Sequence, residues 1–170
     1  NKFIAYKNAK RVIKLTKCDA VKLEGGKEVS QIIRHLISKK IPVMGHVGLL
    51  PQSSTKFKLK GKNFYQRQKI LEDAIAISNS GAFAIVIECV VESLARKITK
   101  SVSVPTIGIG ASKYCDGQVL VIDDMLGLSN FFPKFVKRYS NLRKVIDKSV
   151  KNYAKDVKTR RFPSLKNVHK

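Results

Sequence analysis

The stretch Gly81-Ala82-Phe83-Ala84-Ile85-Val86-Ile87-Glu88 decides the fold of this chain. It is apolar at nearly every position, opens on a glycine and ends on a carboxylate. Such short continuous apolar runs fit strands covered on both faces, as in parallel sheets. A helical pattern precedes it at 64–79, with Ile70, Leu71, Ala74, Ile75 and Ile77 inward. Another follows at 91–100. The same unit repeats on either side. Upstream, helical spacing at 4–16 and 28–38 alternates with strands at 19–23 and 41–45. Downstream, the spacing predicts strands at 104–109 and 118–122, then a helix over 131–158 and a polar tail. Strands alternating with helices indicate βαβ units and an α/β fold with a parallel sheet. The 170 residues read as a single domain, 1–170.

Composition narrows the function classes. Hydrophobic residues make up 44% of the chain, enough for a sizeable core. No apolar run approaches the roughly 18 to 20 residues of a membrane helix. Cys18, Cys89 and Cys115 show no CxxC spacing, so zinc and disulfide frameworks are poor fits. They read as packing residues in a reduced, cytoplasmic protein. The start, Asn1-Lys2-Phe3-Ile4, shows neither an initiator Met nor a signal-peptide pattern, and the chain is expected to be N-terminally incomplete. The formal net charge of +22 raises nucleic-acid binding as a rival. Phosphate and base recognition favours arginine forks, however, and only eight of the 34 basic residues are arginine. The lysines are dispersed over every segment, which argues for compositional drift and against a nucleic-acid partner.

The polar residues fall at strand ends. Lys22 and Glu24 close Asp19-Ala20-Val21-Lys22-Leu23-Glu24-Gly25-Gly26, His46 closes Ile41-Pro42-Val43-Met44-Gly45-His46, and Glu88 closes the central strand. Ligands of α/β folds bind at that end of the strands. With period two, Lys22 and Glu24 share a face with Ala20, and Glu88 shares one with Val86 and Ala84. A lysine and two carboxylates therefore point toward one interior, where charge is costly unless paired or bound to a ligand. The structural alternatives are a Lys22–Glu24 rim ion pair, a helix cap made by Glu88 and a satisfied structural histidine at position 46. Gly108-Ile109-Gly110 reads either as a phosphate cradle or as a tight turn. Asp123-Asp124 reads as a metal pair or, since adjacent strand residues face opposite ways, as a solvated turn.

At these residues the chain resembles the ketopantoate hydroxymethyltransferase family. The matching stretches are Val21-Lys22-Leu23-Glu24-Gly25-Gly26, Pro42-Val43-Met44-Gly45-His46-Val47-Gly48-Leu49 with Pro51-Gln52-Ser53, Ile87-Glu88-Cys89-Val90, and Val104-Pro105-Thr106-Ile107-Gly108-Ile109-Gly110-Ala111 with Asp116-Gly117-Gln118. The resemblance covers essentially the whole chain. It implies a (β/α)8 TIM-type barrel, of which this chain carries about the last five strands. It implies a cytoplasmic homo-oligomer using Mg2+. The reaction it implies transfers a hydroxymethyl group from 5,10-methylenetetrahydrofolate to 3-methyl-2-oxobutanoate, giving 2-dehydropantoate for pantothenate synthesis. By position, Lys22 resembles the substrate-binding lysine, and His46 lies in a Gly-His-x-Gly stretch near the substrate. Glu24 resembles a metal-site carboxylate and Glu88 the catalytic proton acceptor.

The chain also departs from the family pattern. The family carries three further strands, with an Asp-Ser pair and another Asp, ahead of the match. Val91 replaces a proline, Asp123 stands at a strand position commonly occupied by His, and the loop 55–62 is unusually basic. Two other functions compete. One is a Mg2+-dependent 2-oxo-acid lyase or mutase barrel, but its Lys-Cys-Gly-type loop is not visible. The other is a non-catalytic basic nucleic-acid-binding protein.

Overall fold

The computed structural model describes residues 1–54 and 58–169. Lys56 of the basic loop, with Thr55 and Phe57, lies outside the described residues. The chain forms two compact units, Asn1–Val119 and Leu120–Lys170.

The first unit is built on a five-stranded sheet. Its strands are β1 (Val21–Glu24), β2 (Val43–Gly48), β3 (Ala84–Glu88), β4 (Thr106–Ile109) and β5 (Gly117–Gln118). The order is β1-β2-β3-β4-β5 and every pairing is parallel. Helix α1 (Lys2–Thr16) precedes β1. Helices α2 (Ser30–Ser38), α3 (Phe64–Ser78) and α4 (Glu92–Ser101) link the first four strands. Crossovers between parallel strands are right-handed. A sheet that never reverses its order therefore collects its helices on one face, the winding of a (β/α) barrel.

Core composition confirms this sidedness. Ile33 and Leu36 of α2, Ile70, Leu71, Ala74 and Ile77 of α3, and Leu94, Ala95 and Ile98 of α4 pack with Val43, Val47, Ile85 and Ile87 from the strands. The helical spacings of three and four put each set on one stripe. Ile85 and Ile87 are fully buried, and truncating either to Ala is expected to cost about 2 to 5 kcal/mol. Gly45 lets α3 approach the sheet, since a Cβ there would lie 2.3 Å from Ile77 Cγ2. The alternate residues of the strands, Lys22, Glu24, His46 and Glu88 among them, take the other face.

Two expectations fail. The strand expected at 118–122 is only Gly117–Gln118, and helix α5 (Ile122–Leu126) begins where the strand was to end. Val119 and Val121 are half exposed, so no sheet face holds them. Asp123 and Asp124 instead occupy the first turn of α5, where carboxylates complement the helix dipole. Asp123 is therefore not a strand residue; it is solvent-exposed, in the first turn of a short helix. The helix expected over 131–158 is confined to α6 (Leu142–Lys158), which starts when the Asn141 side chain accepts from the Lys144 amide. Pro133 lacks the donor a helix interior needs. In the segment ahead of α6, the Arg138 guanidinium lies 3.6 Å from the Phe132 ring centroid and donates to the Ser129 carbonyl.

Among the described residues no helix is long and apolar enough to cross a membrane. Every described lysine is exposed except Lys60, which is half buried.

Candidate active site

The site is assembled from the C-terminal ends of β1, β2 and β3. Register places Glu24 beside His46, His46 beside Val86, and Glu88 between Gly48 and Ile109. In-register parallel neighbours project to the same face. Lys22, Glu24, His46 and Glu88 therefore share the face turned away from the helices.

His46 and Glu88 are brought closest, with 3.5 Å between Nε2 and Oε2. His46 is fully buried and Glu88 is 8% exposed. The His46 Nε2 also lies 2.7 Å from the Leu49 carbonyl oxygen. A carbonyl can only accept, so the imidazole proton resides on Nε2 and donates to Leu49. Nδ1 is then a bare acceptor, buried and without a hydrogen-bond partner. Burial pushes the imidazole below its ordinary 6.5, and the Lys22 charge acts in the same direction. The Leu49 bond and the Glu24 charge oppose it. With its one hydrogen given to Leu49, His46 meets Glu88 as a neutral ring, not as a charged partner.

Burial holds the Glu88 carboxyl above the ordinary carboxylate range, and the like charge of Glu24 raises it further. The Lys22 ammonium pulls it the other way. Desolvation of a carboxyl favours its protonated form, and it is the largest of these effects at Glu88. The backbone fixes it from several sides. The Leu49 amide donates to the Glu88 carbonyl at 2.8 Å, and the Cys89 amide donates to the Ile109 carbonyl at 2.9 Å. Gly48 has φ +98°, and a Cβ there would stand 2.3 Å from the Glu88 carbonyl oxygen. Only glycine lets the end of β2 come that close.

Two of the structural alternatives do not hold. Lys22 and Glu24 form no rim ion pair; among the described residues the ion contacts are His46–Glu88 and Lys69–Asp73. Glu88 caps no helix, because the N-cap of α4 is Val91 and no side chain bonds there. Glu24 is half buried and accepts the Gln52 amide at 3.2 Å, while Lys22 is exposed on the shared face. Cys89 and Cys115 are buried free thiols, and burial beside Glu88 pushes Cys89 up to about 11, so Cys89 is not poised as a nucleophile. Gly108 packs rather than cradles: a Cβ on it would meet Gln118 and Cys115 at about 3 Å. A groove of about 690 Å³ runs along β1 against α1 and α2. Lys22 borders it, but Glu88 and His46 do not, so it is not where a base would meet its substrate.

The family model described as ketopantoate hydroxymethyltransferase matches residues 1–165. The chain belongs to that family. Relatives named 3-methyl-2-oxobutanoate hydroxymethyltransferase include one from Pelagibacter ubique, 57% identical over 97% of this chain and 64% of its own length. One from Phenylobacterium zucineum is 54% identical over 97% of this chain and 61% of its own. One from Anaplasma marginale is 52% identical over 94% and 59%. The chain thus spans somewhat under two thirds of the length of the curated relatives it matches. The ketopantoate hydroxymethyltransferase family is a TIM-barrel family, and the sequential parallel sheet seen here is that winding.

Asp73 escaped sequence reasoning. It sits on the inward stripe of α3 between Ile70 and Ala74, and it is buried. A carboxylate at a core position of an amphipathic helix is the signal that was available.

Proposed function

We propose that residues 1–170 belong to one (β/α) barrel domain that transfers a hydroxymethyl group from 5,10-methylenetetrahydrofolate to 3-methyl-2-oxobutanoate, yielding 2-dehydropantoate. Family membership supports the reaction class. The observation that carries the roles is the buried Glu88 carboxyl at a strand's C-terminal end, with Lys22 on the same face. Glu88 is the base. It takes the hydrogen from the carbon beside the ketone, which is acidic because the resulting charge delocalises onto the carbonyl oxygen. Lys22 supplies positive charge to the substrate's oxygens. The enolate carbon then attacks the methylene carbon of the folate donor to form the C–C bond; both C–N bonds of that carbon to folate break, water supplies its hydroxyl oxygen, and tetrahydrofolate leaves with the protons on its nitrogens. His46 lies beside the substrate as a neutral ring, and its Nε2–H holds the Leu49 turn against Glu88.

Mg2+ and Glu24 are part of the same reading, and the donor set tests them. Mg2+ demands near-octahedral oxygen coordination. Among the described residues no three His, Cys, Asp or Glu side chains converge, and one Glu24 oxygen already accepts the Gln52 amide. These residues by themselves do not fit the ion, so Glu24 is proposed as one ligand of a set that this segment does not complete. Proton removal and charge neutralisation at Glu88 and Lys22 belong to this chain's own side chains. A cytoplasmic homo-oligomer acting on small molecules completes the proposal.

The test is transfer by the full-length polypeptide, supplied with both substrates and Mg2+, alongside Lys22→Met. Product formation that falls at least about tenfold with the lysine removed is the expected result. No product from the unmutated protein would refute the proposal.

A further inference from the structure

We propose that Asp73 is a positioning residue, holding the turn after β1 and through it the end of β1 that carries Lys22 and Glu24, an inference that rests on the proposed function. The turn Glu24-Gly25-Gly26-Lys27-Glu28 connects β1 to α2 by a short 3-10 segment, Lys27–Val29. Three of its amides are committed to named partners. Gly25 donates to the His46 carbonyl at 3.2 Å, Gly26 to Glu28 Oε1 at 3.0 Å, and Lys27 to Asp73 Oδ1 at 2.9 Å. The first two partners lie on the site strand or within the turn. The third reaches across 46 residues of sequence to α3. Of these three bonds, the one to Asp73 is the tie to the helical layer.

Packing shows that the tie is built. The Asp73 carboxyl lies flat against Gly26, where a Cβ would stand 2.1 Å from Asp73 Cγ. Its second oxygen, Oδ2, accepts from Lys69 Nζ at 2.9 Å. Asp73 sits on the stripe that otherwise carries Ile70, Ala74 and Ile77 into the core. A carboxylate there is costly unless its oxygens are satisfied. Here both are, one of them by the backbone three residues beyond Glu24. The turn cannot slide without stranding that carboxylate.

Groups that orient a ligand from behind typically cost about 10- to 100-fold in affinity or activity when removed. In the full-length protein, Asp73→Ala is expected to weaken 3-methyl-2-oxobutanoate binding in the presence of Mg2+, read by calorimetry, by about tenfold or more. The KM for the folate donor should stay within about twofold, since the turn lies on the oxo-acid side of this reading. Asp73→Asn keeps an oxygen for the Lys27 amide and should restore most of the binding. Lys69→Met removes only the outer ion pair and should bind like the unmutated protein. If Asp73→Ala does not fold, Gly26→Ala displaces the carboxyl from the other side and should weaken oxo-acid binding in the same way. Oxo-acid binding unchanged in folded Asp73→Ala, or in Gly26→Ala, would overturn the positioning role alone. Equal losses toward both substrates would do the same, marking Asp73 as merely structural. Absence of oxo-acid binding by the unmutated protein would overturn the functional reading, and this inference with it.

Discussion

Glu88→Gln separates chemistry from folding. Gln has the size and shape of the carboxyl it replaces but accepts no proton at C3 of the oxo acid. Loss of a general base typically costs 10² to 10⁴ in rate, so the full-length variant should lose about 3 to 5 kcal/mol of transition-state stabilisation. The structure predicts the opposite sign for stability. Burial raises the Glu88 carboxyl, so the folded state disfavours the charged form. Its protonation supports folding fully below the ordinary carboxylate value of 4.5, and that support is lost as pH rises through the raised folded value. A neutral amide escapes the penalty. At pH 8 the variant should therefore unfold at the same temperature as the unmutated protein or higher. The difference should shrink as pH falls toward 4.5. Single-turnover transfer and thermal unfolding, both followed from pH 5 to 8, give the two readouts. Transfer within about threefold of the unmutated rate would remove Glu88 as the base. A collapse of stability at pH 8 would show that the carboxyl holds the fold, contrary to its burial.

Three further outcomes are expected. His46 is buried with its imidazole below 6.5, so stability should fall as pH drops through that value, where the unfolded chain takes up the proton first; His46→Gln should flatten that part of the profile. Gly48→Ala meets the Glu88 carbonyl and a left-handed φ; the backbone alone costs about 1 to 2 kcal/mol, and the clash adds to it, as denaturant unfolding will measure. Reversing Lys58 or Lys60 should change stability by about 0.5 kcal/mol or less each. The same reversals should weaken binding of polyglutamyl folate at low salt more than at high salt, and equal affinity at both would eliminate that role.

The sequence by itself determined the alternation of helix and strand, the parallel sheet and the face on which Lys22, Glu24 and Glu88 lie. Each of these follows from period and sidedness, which are local properties of a chain. It also carried the family, through short stretches at strand ends. Local pattern misled at 118–122, where apolar valines resembled a strand although no sheet face was there to hold them. It misled again over 131–141, where helical spacing continued across Pro133. Tertiary structure alone decided the rest. The proton on His46 Nε2 follows from where the Leu49 carbonyl lies, and the rise at Glu88 follows from what buries it. Gly48 is required because two strand ends meet there. Asp73 looked like one acidic residue on a helix until folding set it against Gly26 and the Lys27 amide. Protonation, close approach and cross-chain hydrogen bonds depend on distances between residues far apart in sequence, and only the packed fold sets those distances.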